Sequence, residues 1–389
     1  MKKVAIVGGG ASGLMCAIVC AKNGCSVDIF EQNSKIGKKI LVSGNGKCNI
    51  TNKFLNKDDY HSNNSEFVEY ALKKFGFYEF KKFVESFGLL LHTKDDGKCY
   101  PFSFEAKNVV FLLQNYASKL GVKFHTDTKV KDIKALFSNY ESVVIATGSE
   151  ASPHLGGCSD GLEFAKEFGH NIIPTYPSLV QLELNSKTAP KMSGVKLNAE
   201  VTLFLNYQKE LSISGDILFT NYGISGLAIL DISQKVSVAL QNYEMVDISL
   251  NLLPTFTQQQ LSAYILNSYK QNGFSLKTIL YSLLPTKVVN VIADEFNTTK
   301  IDTKLSKTIA NKLQNLKFEV TKTRGFRYAE VAGGGVDTTQ INPKTMESLK
   351  KDNLYFIGEI LDVVGKRGGY NLAWAWASGY VCGESISTN

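Results

Sequence analysis

The chain opens on an unbroken apolar run, Val4-Ala5-Ile6-Val7, then six residues dominated by glycine, an apolar stretch from Leu14 to Ala21, and a second short run, Val27-Asp28-Ile29-Phe30. This pattern predicts a strand, a tight turn, a helix and a second strand. Between Glu66 and Phe87, apolar residues recur every three to four positions (Phe67, Ala71, Leu72, Phe75, Phe80, Phe83, Val84), which predicts a helix. Another helix is expected over Lys107–Leu120, with a strand at Val122–His125. Ser142–Ala146 is apolar throughout, as in strands of a parallel sheet covered on both faces.

The character changes near Pro177. Residues 178–250 alternate apolar and polar positions between Gly, Asn and Ser breaks, as in Glu200–Leu205 and Val236–Leu240, and read as antiparallel strands of a small barrel. Residues 257–314 return to helical spacing, with N-cap candidates at Thr257, Ser275 and Thr286. From Phe318 short strands resume, with a triple glycine (Gly333–Gly335) that reads as a turn and a last strand, turn and helix near the C-terminus. The pattern divides the chain into an α/β part over 1–180, a β-barrel-like insert over 181–255, a helical insert over 256–317, and a return to the first part over 318–389.

Composition narrows the picture only slightly. An apolar fraction of 44% and a charged fraction of 20% are ordinary for a globular protein. The 43 Lys+Arg against 36 Asp+Glu give a net charge of +7, but the lysines are scattered, so no nucleic-acid partner is expected. No apolar run reaches the length of a membrane span, and the first strand begins too early for a signal peptide. Seven cysteines form no C-x-x-C pair and no metal-ligand spacing with the histidines, a usage that suits a reducing cytoplasm. The expectation is a cytoplasmic protein with no metal and no membrane partner, its oligomeric state open.

The chemistry concentrates in three places. Gly8-Gly9-Gly10-Ala11-Ser12-Gly13 is a G-x-G-x-x-G turn between strand and helix, and Glu31 ends the next strand. Gly8 permits the turn, Gly10 lets backbone approach a pyrophosphate, and Gly13 lets the helix pack on the strand; the helix N-terminus attracts the phosphates and Glu31 can bind ribose hydroxyls. Soon after comes Ile36-Gly37-Lys38-Lys39-Ile40-Leu41-Val42-Ser43-Gly44-Asn45-Gly46-Lys47-Cys48-Asn49-Ile50-Thr51-Asn52, a glycine-rich polar loop suited to threading a long cofactor such as FAD. The third place is the strand Leu354–Ile357 with Gly358, Glu359 and Asp362 at its end, followed by Gly369-Tyr370-Asn371-Leu372 opening a helix. That helix N-terminus would favour negative charge on a reduced flavin. No second G-x-G-x-x-G unit occurs, so a separate NAD(P)-binding domain is not expected.

On the motifs at 7–13, 36–52 and 353–379, the sequence resembles the BaiN/YhiN-type flavoproteins, often called aminoacetone-oxidase-family FAD-binding enzymes. The family pattern has Arg where this chain has Lys47. The resemblance implies an α/β, Rossmann-type FAD-binding domain of the two-dinucleotide-binding-domain type, carrying the inserted barrel-like and helical region. It implies that Val143–Gly148 passes close to the cofactor and that the backbone at Val130 holds adenine. The expected FAD contacts are Gly8, Gly10, Ala11, Ser12, Gly13, Glu31, Gln32, Lys38, Lys39, Ser43, Gly44, Asn45, Cys48, Asn49, Val130, Thr147, Gly148, Gly358, Glu359, Asp362, Gly369, Tyr370, Asn371 and Leu372. No catalytic side chain is assigned, because the flavin carries the hydride chemistry. Residues 215–226 are the part of the insert best suited to roof the flavin.

Three functions fit these residues. The first is an oxidase of small amines such as aminoacetone, with O2 as second substrate. The second is an NAD(P)H-dependent reductase of an activated C=C bond. The third, of another class, is a flavin-binding RNA-modification or redox-sensing protein.

Overall fold

A computed structural model describes residues 1–296 and 300–388. The chain forms two compact units, Met1–Thr175 with Glu330–Asn389, and Tyr176–Ala329.

The first unit is built on a five-stranded parallel sheet in the order Leu354–Phe356, Ser142–Ile145, Lys3–Val7, Ser26–Phe30, Lys123–His125. Lys3–Val7 lies at its centre because Val4, Ala5 and Ile6 are apolar on both faces and wholly buried. The register aligns Val7 with Phe30 and with Ile145, and Ile145 with Phe356, so four strands end along one edge. The ladder continues one residue beyond them: Gly8 N donates to Phe30 O (2.8 Å), Ala146 N to Val7 O (2.8 Å) and Ile357 N to Ile145 O (3.1 Å).

Two helices lie together in this unit, Ala11–Lys22 and the C-terminal Tyr370–Thr388. Their contact is made of small residues. A Cβ on Gly379 would sit 2.5 Å from Ser12 O, and one on Gly383 would sit 2.7 Å from Val19 Cβ. Cys16, Cys20 and Cys382 are buried here as small apolar side chains, as core packing predicts. A three-stranded antiparallel sheet, in the order Thr51–Asn52, Lys98–Pro101, Leu91–Thr93, completes the unit beside the helices Phe67–Lys74, Phe77–Glu85 and Ala106–Lys119.

Two sequence expectations are corrected here. The helix expected over Glu66–Phe87 is two, Phe67–Lys74 and Phe77–Glu85, because Gly76 is extended (φ −83, ψ −161) and starts the second. Gly333–Gly335 is not a turn. It lies within the strand Val331–Val336, where a Cβ on Gly334 would collide with the Pro174 carbonyl.

The second unit is a closed six-stranded barrel: Leu182–Leu184, Gly223–Ser225, Gln208–Phe219, Lys196–Leu205, Val246–Asn251 and Leu316–Thr323. The helices Gln258–Asn272, Leu276–Leu280, Thr286–Phe296 and Thr303–Gln314 share one apolar core with it, so the barrel-like and helical segments form a single body. Thr257 and Ser275 cap their helices through their side chains, whereas Thr286 is already the first helical residue. Two further segments differ from expectation. Val236–Leu240 belongs to a helix, Leu227–Gln241, because Ala228, Ile229, Ile232, Val236 and Ala239 are buried at three- and four-residue steps that the local alternation concealed. Leu316–Thr323 closes the barrel instead of rejoining the nucleotide part. Leu316, Phe318 and Val320 point inward, and the strand pairs with both Val246–Asn251 and Leu182–Leu184. Residues 215–226 supply the end of the strand Gln208–Phe219 and the whole of Gly223–Ser225.

Both packing and titration in the first unit can be tested. Gly383→Ala should cost about 1–3 kcal/mol through overpacking against Val19, read as a lowered thermal midpoint. His170 is buried against Phe356, its Nε2 2.7 Å from Ser348 Oγ and its Nδ1 without a partner. Burial, reinforced by nearby Lys350, pushes its pKa down to about 4. The unfolded ring still takes a proton near the ordinary pKa of about 6.5. Stability contributed by the neutral ring is therefore full above that value and is lost as pH falls towards 4. His170→Gln should flatten the stability curve between these limits, measured by chemical denaturation across pH.

Candidate functional site

The candidate site is the carboxyl edge of the parallel sheet, where ligands bind in open α/β folds. Directly after the first strand, Gly8 turns with φ +112, a conformation side chains disfavour, and a Cβ there would collide with Ala146 O. A Cβ on Gly13 would collide with Gly8 O, so this glycine sets how closely the helix meets the strand. Gly10 is different: a Cβ there would meet nothing within 4 Å. No side chain caps the helix that follows and no acid stands in its first turn. The turn thus presents open backbone and an unneutralised positive dipole end, through Gly10, Ala11 and Ser12.

Glu31 continues the second strand and is 8% exposed. Its Oε2 accepts from Gly9 N (2.9 Å), and its Oε1 accepts from Asn33 N (2.8 Å) and Asn33 Nδ2 (2.6 Å). Lys38 donates to Asn33 Oδ1 (2.8 Å), so a cation stands one residue removed from the carboxylate. Thr128 N donates to Glu31 O (2.9 Å), which brings the loop containing Val130 beside it. Gly37 N donates to Gly9 O (2.9 Å), docking the Lys38–Val42 helix on the turn. Lys39 then pairs with Glu359 Oε2 at 2.8 Å, while Glu359 Oε1 accepts from Ala332 N (3.0 Å). Gly148 is close to the same carboxylate, and a Cβ on Gly358 would sit 2.5 Å from Ser12 Oγ. Thr147 Oγ1, next to Gly148, is buried without a hydrogen-bond partner. Residues from positions 8–13, 31–39, 147–148 and 358–359 therefore meet at one edge.

A second group gathers around the start of the C-terminal helix. Trp376 Nε1 donates to Ile50 O (2.8 Å) and Asn52 Nδ2 to Gly368 O (2.9 Å). A Cβ on Gly369 (φ +98) would collide with Thr51 O and lie 3.0 Å from Asn49 Oδ1. Asn371 clamps Gly365 at both backbone atoms, accepting from its N and donating to its O, each at 2.8 Å. Tyr60 Oη donates to Tyr370 O (3.0 Å). The end of the Ser43–Asn52 loop and the turn Gly368–Leu372 are thus tied to each other across the chain. Ser43, Gly44 and Asn45 stand on the exposed part of that loop or at its margin.

Three expected contacts have other partners. Gln32 donates to Gly156 O (3.0 Å). Asp362 is 2% exposed and accepts from Asn63 N (2.8 Å); burial raises its pKa above the usual carboxylate value. Cys48 is wholly buried, and desolvation pushes its thiol up to about 12, so it is neutral at ordinary pH and packs rather than reacts. Sequence reasoning missed Gly9 and Asn33, whose N–H groups hold Glu31, and Ser378 and Trp374, which bond Gly358 N (3.0 Å) and O (3.1 Å). Gly9 is an unconstrained position in G-x-G-x-x-G, and the tryptophan carried no spacing signal.

An open, uncapped phosphate turn, an acid at the next strand end and a polar loop facing a helix N-terminus fit a dinucleotide cofactor. The family model described as "HI0933-like protein Rossmann domain" matches residues 2–385. The chain belongs to this family. Over 407 residues it is 32% identical to a 3-dehydro-bile acid delta(4,6)-reductase from Clostridium scindens, covering 100% of this chain and 99% of that one. It is 36% identical to a ribosomal RNA dihydrouridine synthase from Haemophilus influenzae, with 98% of each chain covered. Among solved structures, a 3-ketosteroid-delta4-(5alpha)-dehydrogenase from Rhodococcus jostii RHA1 matches 100% of this chain and 97% of its own, with a TM-score of 0.50 and 12% identity, a likeness of fold. The Rossmann-type FAD-binding fold expected from the sequence is thereby established, and the chain is an FAD-dependent oxidoreductase. Among the described residues, no helix is long and apolar enough to cross a membrane.

Substitution at the open glycine separates binding from folding. Gly10→Val should leave the thermal midpoint nearly unchanged yet weaken retention of added FAD by about tenfold or more, or ~1.4 kcal/mol, measured by flavin fluorescence after gel filtration.

Proposed function

We propose that the chain binds FAD and reduces a carbon–carbon double bond conjugated to a carbonyl group, drawing electrons from NAD(P)H. The observation that carries this reading is the agreement between two full-length relatives with unlike substrates. The name of each relative describes hydrogen added across a ring double bond that stands in conjugation with a ring carbonyl. A shared reaction on dissimilar molecules points to the bond as the common element. The amine-oxidase reading, aminoacetone included, has no counterpart in these names.

In this assignment Gly8–Gly13 takes the pyrophosphate, Glu31 the adenosine ribose, and the backbone at Val130 the adenine. Lys38 and Lys39 add positive charge near the phosphates. Ser43–Asn49 and Gly369–Leu372 hold the ring, with Thr147, Gly148, Gly358 and Glu359 between the two ends. Bound FAD would supply the ring that accepts and donates hydride. The chain's own part is to fix that ring. Asn371 and Asn52 clamp Gly365 and Gly368 on either side of the ring loop. The positive end of the Tyr370–Thr388 helix favours negative charge beside it.

Anaerobic mixing of the FAD-loaded protein with NADH or NADPH tests the reading. At least one should bleach the flavin absorbance within seconds, and a cyclic enone should restore it faster than dissolved oxygen does. Bleaching by small amines alone would overturn it.

A further inference from the structure

We infer that the barrel unit holds the 2′-phosphate of NADPH on the outer side of its Leu182–Leu184 and Leu316–Thr323 strands, through Arg324, Arg327 and Lys322. The inference rests on the reductase reading above and names which nicotinamide dinucleotide supplies the electrons.

Composition singles the place out. Of the 43 basic residues 40 are lysine, and the three arginines are Arg324, Arg327 and Arg367. Arginine differs from lysine in its planar fork, which bonds an oxyanion through two N–H groups and stacks on aromatic rings. Arg367 lies in the ring loop already described. The other two stand three residues apart, just past the last barrel strand. A chain that meets nearly every need for positive charge with lysine uses the fork twice here.

The strand register builds the face. Leu182 pairs with Thr323 and Glu183 with Lys322, and Arg324 N donates to Gln181 O (2.9 Å). Side chains alternate along a strand, so Gln181, Glu183, Lys322 and Arg324 share the side opposite Leu182, which is wholly buried in the barrel. On the neighbouring strand Gly223 stands opposite Glu183, where a Cβ would collide with Leu182 O, and Tyr222 precedes it.

Arg324 Cζ lies 4.3 Å from the centre of the Tyr222 ring and 4.6 Å from that of Tyr328, and Arg327 Cζ lies 5.8 Å from the latter. Among the described residues, Arg324 is the one cation that lies over two rings. Rings on a guanidinium fix its plane and leave its edge for bonding. Glu183 takes one nitrogen of that edge, Nη1 at 3.1 Å, and is shared with Lys322 at 3.3 Å. Arg327 has no carboxylate partner among the described residues. Three cations against one carboxylate leave an excess that suits a phosphate monoester, which carries about −1.5 to −2, better than a singly charged carboxylate.

Two buried polar atoms still lack hydrogen-bond partners: Gln181 Oε1, on the side of Arg324, and Thr220 Oγ1, in the turn that carries Tyr222. An orphaned polar atom costs about 1–3 kcal/mol. A bare oxyanion has no hydrogen to give Gln181. The ribose of an adenosine 2′-phosphate serves both needs, with phosphate oxygens for the guanidinium edge and the Thr220 hydroxyl, and a neighbouring 3′-hydroxyl that donates to Gln181. Tyr328, 44% exposed, offers its ring to the adenine. The chain has no second G-x-G-x-x-G turn to hold the dinucleotide by its pyrophosphate, so the 2′-phosphate is the group left to recognise. It stands at the opposite end of NADPH from the nicotinamide, and its site need not belong to the flavin-holding set.

The test uses the full-length, FAD-loaded protein, titrated calorimetrically with adenosine 2′,5′-bisphosphate and with 5′-AMP. The bisphosphate should bind about tenfold tighter or more, and Arg324→Gln should remove the difference. Arg324→Lys should recover only part of it, because the charge returns without the fork. In anaerobic mixing, the apparent Kd for NADPH, read from the concentration dependence of flavin bleaching, should rise about tenfold in Arg324→Gln. The values for NADH and the thermal midpoint should not move, which separates lost recognition from misfolding. Equal affinity of the wild type for the two nucleotides would overturn the inference. If NADPH bleaches the flavin and Arg324→Gln changes neither donor's concentration dependence, the phosphate site falls and the reductase reading stands. If the bisphosphate binds through Arg324 while neither donor bleaches the flavin, the site stands and the reductase reading falls. If Arg324→Gln spares NADPH but weakens a carboxylate-bearing cyclic enone, the cations serve the electron acceptor and the inference is overturned.

Discussion

The architecture of the nucleotide unit depends on how closely the first helix approaches the end of the first strand. Gly13 against Gly8 O, and Gly8 against Ala146 O, leave no room for a side chain at either position. That approach aims the helix N-terminus at the edge where three neighbouring strands also stop. It brings Ser12 over Gly358 and lets Gly37 bond Gly9. The Lys39–Glu359 pair then joins segments 320 positions apart in sequence. A longer strand-to-helix distance would separate all of these, so one steric constraint places most of the polar groups at the edge.

Much of this was legible in the sequence where one residue type has one physical reason to be present. The turn at Gly8–Gly13, the buried strands and the acid at Glu31 follow from periodicity and glycine placement alone. Legibility failed where local pattern and tertiary environment disagree. Val236–Leu240 alternates like a strand, yet its helical face is set by Ile229 and Ile232 upstream. Leu316–Thr323 has the pattern of a strand, but nothing local says which sheet will accept its hydrogen bonds, and the barrel does. The partners of Gln32 and Asp362 lie far along the chain, at Gly156 and Asn63, and no spacing rule reaches them.

Charge shows the same limit. A net charge of +7 spread over 389 residues carries little information by itself. Folding sorts it: some lysines pair with carboxylates on the surface, worth little energetically, whereas Lys94 and Lys53 lie over aromatic rings. Such an arrangement comes from register, since pairing His92 with Tyr100 decides which residues face outward together. A shift of one residue would turn the rings inward and the cysteine outward.

The sharing of one sheet by segments from either side of the barrel body has a consequence for biosynthesis. The strand Leu354–Phe356 and the helix Tyr370–Thr388 are synthesised after Tyr176–Ala329, and they complete the unit that Met1–Thr175 begins. Domains tend to fold as units while the chain emerges from the ribosome. Here the later-starting body, Tyr176–Ala329, has its whole core available first, whereas the N-terminal sheet waits with an open edge beside Ser142–Ile145. The edge beside Ser142–Ile145 therefore stays unpaired until Leu354–Phe356 has been made, and an unpaired strand edge is open to the wrong partner.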